Sequence, residues 1–428
     1  MKVAIVVQRY GAEMNGGAEL HARYIAERLA RHHDIRVFTT CARDYVTWAN
    51  ELPAGPDDVN GVAVERFPVV HERDTRTFGR LSDRVFEHVH SIADELKWLD
   101  AEGPTSPSLR RHLESVRDRF DVFIFFSYRY WHAYHGMRAT DRKAMLVPTA
   151  ERDPAIGLSL FPPVFRAARA IMFNSFEERA MIRHAAGTDD LRGAVVGVGS
   201  DVPETTDANR FRQEFGINGP FAIYVGRIDE NKGCPELFQN FQAYAARMRG
   251  QLQLVLIGKT LLPIPKHPRI HHLGFLTDRQ KFDAMAAAAV LIMPSYFESL
   301  SMVALEAWAL GKPVLANGRC DVLKGQAIRS NAGLYYESYG EFAEALDAIV
   351  STPSLAQTLG RNGAAYFTRH YAWPVIERKY LETLDRIARE GPASRPMDPL
   401  PGFFARRRSE LPAARNVLSR IPSGPSLS

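Results

Sequence analysis

Cysteine is scarce in this chain of 428 residues. The three present, Cys41, Cys234 and Cys320, stand far apart with no paired spacing. Neither a disulfide framework nor a zinc motif can be assembled from them, so a reducing compartment is expected. Long apolar runs are missing too: nothing approaches the roughly 18 residues of a membrane span. The opening run VAIVV (3–7) is too short for a secretory leader and meets Arg9 almost at once. It reads as a buried first strand, and a cytoplasmic protein is expected. No Gly-x-Gly-x-x-Gly turn follows that strand; the loop reads YGAEMNGGAE, and the second strand ends VFTT without a ribose-binding acid. Both observations argue against a dinucleotide oxidoreductase. A net charge of +5 would suit anionic partners such as phosphorylated ligands or acidic lipid surfaces. Nucleic acid is not expected, because zinc-finger, RNA-recognition and helix-turn-helix signatures are all missing.

What is present is a long alternation of short apolar runs with helical patterns. In the first half, strands are predicted at 2–7, 35–40, 62–67, 121–126, 144–148 and 169–174, with a helix over 17–31. The second half restarts the pattern. Strands are predicted at 221–226, 252–258, 269–274, 290–295 and 312–317, with helices at 234–248, 281–289 and 301–310 between them. Gly311 followed by Lys312-Pro313 is a good helix stop. Helices between strands imply parallel sheets covered on both faces. The polar, Gly- and Pro-containing stretch 199–219 separates the halves. The expected class is α/β: two doubly wound, Rossmann-like domains facing each other across a cleft. The first covers 1–200 with a helical insertion at about 74–118. The second covers 201–375, and a helix at 376–391 returns toward the first. The Pro-, Ser- and Arg-rich segment 392–428 is expected to be unfolded. Its FFARRR (403–408) is a solvated end in the plain reading and a contact for an anionic bilayer in the sharper one.

Three loops carry candidate chemistry. In GRIDENKG (226–233) a strand ends at Gly226, and Arg227 and Lys232 follow before a helix. A guanidinium fork and an ammonium above a strand end suit a diphosphate, although an exposed charged turn would look the same. In LGFLTDRQ (273–280), Gly274 and Phe275 form a strand-to-helix turn whose backbone could meet a nucleobase edge, with Phe275 or Leu276 against its face. In SYFESLSMVALEAWALGKPVLA (295–316), Glu298 leaves a strand and Glu306 sits in a helix. Ser299 or Ser301 could cap that helix. Its amides, at Ser299, Leu300, Ser301 and Met302, would offer an anion site, and Glu306 could accept from the hydroxyls of a ribose.

Taken in order, GRIDENKG, LGF and ESLSMVALEAWALGKPVLA make residues 224–317 resemble the retaining, nucleotide-sugar-dependent "group 1" glycosyltransferases of the GT-B fold. The resemblance implies that Arg227 and Lys232 bind the donor diphosphate, Glu298 touches the donor sugar and Glu306 holds the ribose. It also implies a glycine-rich first-domain loop, for which Gly16 and Gly17 in MNGGAEL stand. The implied reaction moves a hexosyl group from a nucleoside diphosphate sugar to an acceptor hydroxyl with retention of configuration. A lipid-linked or oligosaccharide acceptor in cell-envelope or exported polysaccharide assembly is expected, with peripheral contact at the inner face of the plasma membrane. No cofactor or metal is expected, because no Asp-x-Asp stands near the donor loops. The family's aromatic near the final crossing helix would be Trp373, with Pro374 at the bend. One departure is plain. Many relatives place a His at a first-domain strand end, where this chain has Ser127-Tyr128 and, further on, Glu151 and Asp153; His132 and His135 fall on a predicted helix. Glu151 is the leading candidate for the first-domain contact, followed by Tyr128 and Arg129, which could instead bind an acidic acceptor. The alternatives are a sugar-nucleotide epimerase of the same architecture and a non-catalytic nucleotide-sugar-binding partner.

Overall fold

Two runs in which every side chain is buried mark the centres of two sheets: Val3–Val6 in the first and Phe221–Val225 in the second. Such runs belong in strands covered on both faces. The computed structural model describes residues 1–391, apart from Asn15 and 248–250, together with Asn416 and 418–421. The expected unfolded tail thus lies outside the described residues but for those last five.

The first sheet contains β1 (Lys2–Val6), β2 (Asp34–Thr40), β3 (Gly55–Val59), β4 (Val62–Phe67), β5 (Val122–Phe126), β6 (Ala144–Val147), β7 (Ile171–Phe173) and β8 (Gly193–Val195). Their order is β3-β4-β2-β1-β5-β6-β7-β8. All neighbours are parallel except β3 and β4, an antiparallel hairpin in which Val59 opposes Val62. The turn between them is Asn60-Gly61, both with positive φ. That is the two-residue turn whose twist matches flanking strands. β3 corrects the expectation of a purely parallel sheet. Its sequence, GPDDV, is mostly exposed and carries no apolar alternation, which hid it.

The second sheet contains β9 (Phe221–Val225), β10 (Gln253–Ile257), β11 (Ile270–His272), β12 (Val290–Met293), β13 (Val314–Asn317) and β14 (Gly333–Tyr336), all parallel, in the order β11-β10-β9-β12-β13-β14. β8 and β14 were not expected; each is short and only partly buried. The helix expected at 281–289 begins earlier, at Asp278, where Thr277 and Gln280 form a capping box.

Residues 74–118 form three helices, Thr75–Glu87, Ile92–Glu102 and Pro107–Val116. They bury Trp98, Leu99, Leu109 and Leu113 in the same core as Phe123 and Phe125 of β5. The helix Trp373–Glu390 carries a buried stripe of Ile376, Tyr380, Leu384 and Ile387. It lies against the helix Gly17–Leu29 of the first domain, with Trp373 edge-on to Tyr24 at 5.3 Å and the Tyr380 hydroxyl 3.3 Å from His21 Nε2. Arg28 stacks on Trp373 at 3.7 Å, and both Arg28 and Trp373 donate to Asp201 Oδ1 at 2.6 Å. First helix, linker and last described helix are therefore tied at one point.

Candidate active site

In each sheet the strand order reverses beside the first strand, and a crevice opens where loops diverge from the carboxyl ends of the two central strands. In the second domain these loops follow β9 and β12, and they hold GRIDENKG and SYFESLS. The loops touch. Gly233 has φ +69°, and a Cβ there would run into the carbonyl of Pro294, so only glycine permits the approach. Above this contact Lys232 Nζ donates to Glu298 Oε1 at 2.7 Å, with Glu298 12% exposed. Burial works against the Lys232 charge, but Glu298 and Glu151 outweigh it and hold the ammonium protonated. Asp229, not anticipated from sequence, organises the loop: its carboxylate accepts from the Lys232 backbone N–H at 2.8 Å and from Arg227 Nε. Gly226 follows β9 with positive φ, at the turn into the Arg227 loop.

Glu151, in the first domain, lies within electrostatic range of this pair. Burial raises its carboxyl to about 7, helped by Glu298 and Asp153 and opposed by Lys232 and Arg129. The loop carrying it is held by Glu178, a fully buried carboxylate that accepts from the backbone N–H groups of Ala150 (2.6 Å) and Asn174 (2.5 Å). Burial pushes Glu178 up to about 8 despite these bonds. A cavity of about 430 Å³ continues from this point between the domains, bounded by Ala150, Arg152 and Met181 on one side and Phe297, Glu298 and Val322 on the other.

Ser301 is the cap of the helix Met302–Ala309. Its hydroxyl accepts from Ala304 N–H, and its backbone is left-handed, φ +72°. Ser299 does not cap. Leu300 is buried, whereas Ser299 and Met302 are half-buried at the crevice end of the helix. On the same helix Glu306 is 5% exposed. Its Oε1 accepts from Ser200 Oγ at 3.0 Å and Lys281 Nζ at 3.1 Å, while Oε2 is buried without a partner. Burial raises its pKa against the pull of Lys281 and Ser200. Sequence reasoning missed Ser200 and Lys281, since both arrive from other elements by packing; no local pattern announces them. Gly274 turns with φ +71° and leaves Phe275 73% exposed, whereas Leu276 packs on the core. Of the two side chains offered for a base, Phe275 is the one facing outward.

In the first domain Gly16 precedes the helix Gly17–Leu29 without a side-chain cap, and a Cβ there would press on Glu19. Glu19 accepts from Arg9 Nε (2.8 Å) and Nη2 (2.5 Å), so the loop wraps a buried ion pair. Gly17 has open space around its Cα. Two expectations are corrected. Tyr128 is 1% exposed, packed on Phe161 and Phe165, and does not face the crevice. Arg129 already spans Glu102 Oε1, at 2.9 Å, and Asp153, which gives its charge two internal partners in place of an acidic acceptor. His132 Nε2 donates to Phe126 O at 2.8 Å, and burial lowers its pKa to about 4; burial likewise lowers His135 to about 3. His132 is buried in the core and His135 is half-buried beside Trp131.

Residues 205–366 match the family model for glycosyl transferases group 1. This stretch, less than half of the chain, is thus similar to that family. The chain is 29% identical over 294 residues to the D-inositol 3-phosphate glycosyltransferase of Kribbella flavida, covering 62% of this chain and 66% of that protein. It is 27% identical over 198 residues to an alpha-maltose-1-phosphate synthase of Mycobacterium tuberculosis, covering 41% and 50%. The matches thus span about half to two thirds of the length of these relatives. Among solved structures, HepE from Anabaena in complex with UDP superposes with a TM-score of 0.65 over 90% of this chain and all of that one, at 17% identity. The fold is that of the GT-B glycosyltransferases. Among the described residues no helix is long and apolar enough to cross a membrane.

Proposed function

We propose that the protein transfers a hexosyl group from a nucleoside diphosphate sugar to an acceptor hydroxyl with retention of configuration. The observation that carries this reading is Lys232 bonded to Glu298 at the crevice, with Arg227 on the same loop and Glu151 of the first domain within electrostatic range. In transfer the bond from the anomeric carbon to the diphosphate oxygen breaks, and negative charge grows on the leaving group. Lys232, Arg227 and the N-terminus of the helix Met302–Ala309 are pre-positioned to stabilise that charge. Glu298 and Glu151 present carboxylate character to the positive character developing at the sugar. The acceptor proton passes to the departing phosphate, so no separate strong base is required. The unpartnered Oε2 of Glu306 is suited to accept from a ribose hydroxyl, and Phe275 to cover a base. A lipid-linked or oligosaccharide acceptor, a role in envelope or exported polysaccharide assembly, and work at an anionic membrane face complete the proposal, on the strength of the motif resemblance.

The test is a thermal-shift panel with UDP, GDP, ADP, CMP and dTDP sugars on the wild type and on Glu306→Ala. A ligand that binds only the native state raises the melting temperature. One nucleotide that stabilises the wild type and not the variant is expected, and it names the base. Equal stabilisation of both proteins removes Glu306 from the site, and no response to any of them removes the donor site itself.

A further inference from the structure

Resting on that reading, the geometry points to Tyr45, in the first domain, as a positioning residue for the diphosphate-binding Arg227 of the second. Arg227 Nη1 donates to the Tyr45 hydroxyl at 3.0 Å, across 182 residues of sequence and across the cleft. The Tyr45 ring has two guanidinium groups near it, Arg9 at 5.6 Å and Arg227 at 5.4 Å from its centroid. A cation near an aromatic face is attracted to it, more strongly where water is partly excluded. The guanidinium of Arg227 is therefore fixed from two sides. Asp229 takes Nε from within its own loop, and Tyr45 takes Nη1 from the opposite domain. Neither bond uses Nη2.

The loop presenting Tyr45 is cross-linked by hydrogen bonds. Asp44 Oδ2 accepts from the backbone N–H groups of Val46 (2.9 Å) and Thr47 (2.6 Å) and from the Thr47 hydroxyl (2.8 Å), closing a tight turn. Trp48 anchors the far side: it is 1% exposed, and its Nε1 donates to the Glu102 carbonyl at 2.7 Å. Arg73 donates to the Tyr45 carbonyl at 3.3 Å and to Glu102 Oε2 at 2.9 Å. A hydroxyl held this firmly can aim the side chain it contacts. Because the bond crosses the cleft, it exists only while the domains are together. Tyr45 thereby makes the grip on the diphosphate depend on closure: the second domain alone holds Arg227 by Asp229, and the closed pair holds it in the orientation seen here.

The experiment is calorimetric titration of UDP, GDP and ADP into the full chain as wild type, Tyr45→Phe, Arg227→Ala and the double variant. Tyr45→Phe keeps the ring and removes only the hydroxyl. It is expected to weaken binding of the preferred nucleotide about tenfold, the scale of one hydrogen bond to a charged group. The decisive readout is the cycle. If Tyr45 acts through Arg227, Tyr45→Phe changes nothing further once Arg227 is alanine. A Tyr45→Phe protein that binds like the wild type overturns the proposal while leaving the donor site intact. A tenfold loss that persists in the Arg227→Ala background also overturns it, by making Tyr45 a general support of the loop. A wild type that binds none of the three nucleotides, nor CMP or dTDP, overturns the donor-site reading and this inference together.

Discussion

Glu151 and Lys232 are opposite halves of one electrostatic arrangement, and their substitutions separate its two tasks. Lys232 carries charge to the crevice floor, where Glu298 and Glu151 keep it protonated. Lys232→Ala should reduce turnover on the order of a hundredfold, the scale of losing one pre-organised cation from a leaving-group site. Steady-state transfer with whichever nucleotide sugar the thermal-shift panel selects measures this, and turnover near that of the wild type would remove Lys232 from the proposed leaving-group site. Glu151 bears on stability. Its folded-state pKa, about 7, lies above the ordinary carboxylate value. The folded state therefore binds the proton more tightly, and the associated stability is present at low pH and lost as pH rises from about 4.5 through 7. Glu178, raised to about 8, works in the same direction. Between pH 5 and pH 8 the wild type should lose more stability than Glu151→Gln, by on the order of 2 kcal/mol. Urea midpoints at the two pH values check the sign; parallel losses would mean that Glu151 ionises freely.

At the scale of elements, what was legible in the sequence is what repeats with a strong period. β1, β5, β9 and β12 are almost continuous apolar runs, and the helices between them are amphipathic, so doubly wound domains could be read directly. GRIDENKG and ESLSMVALE were legible because a strand exit, a helix start and the charges between them lie within ten residues of one another. Glu306 could be singled out for the same reason. Ser200 and Lys281, which hold its Oε1, could not, because they meet it only through packing between helices and linker. The β3–β4 hairpin was within reach, since Asn60-Gly61 is a strong turn signal, but GPDDV lacks the alternation that identifies a strand. The Met302–Ala309 helix offers a test at this scale. Ser301 supplies both its cap and a left-handed residue ahead of it. Ser301→Ala loses the cap and keeps the strained backbone, so it should destabilise by about 1–2 kcal/mol. Ser301→Gly relieves the strain and should be the milder change. Chemical denaturation of the pair decides, and the reverse ranking would mean that neither the cap nor the backbone sets the start of this helix.

At the scale of the whole molecule, the two sheets are joined by more than a linker. The knot of Arg28, Asp201 and Trp373 ties the first helix, the linker and the last described helix at one point. Beyond it, Arg152 pairs with Asp321 at 2.8 Å and Arg329 with Glu177 across the cleft. The exposed pairs add little energy individually, whereas the half-buried Trp373 stacks on Arg28 and bonds Asp201 at once. The wall of Lys232, Glu298 and Glu151 is assembled only when both halves are present, which is why no single domain's sequence spells it out.

The hairpin at the edge of the first sheet reaches beyond the ligand. An open sheet edge offers unpaired amides to any passing strand, and a protein at high concentration is exposed to that hazard. Here the edge is β3, whose Pro56 has no N–H to offer and whose Asp57 and Asp58 set negative charge on the rim. Asp57 is further tied down by buried Arg66, at 2.8 Å. The strand that breaks the parallel pattern thus acts as a terminator, and it keeps the first sheet from growing into its neighbours in a crowded cell.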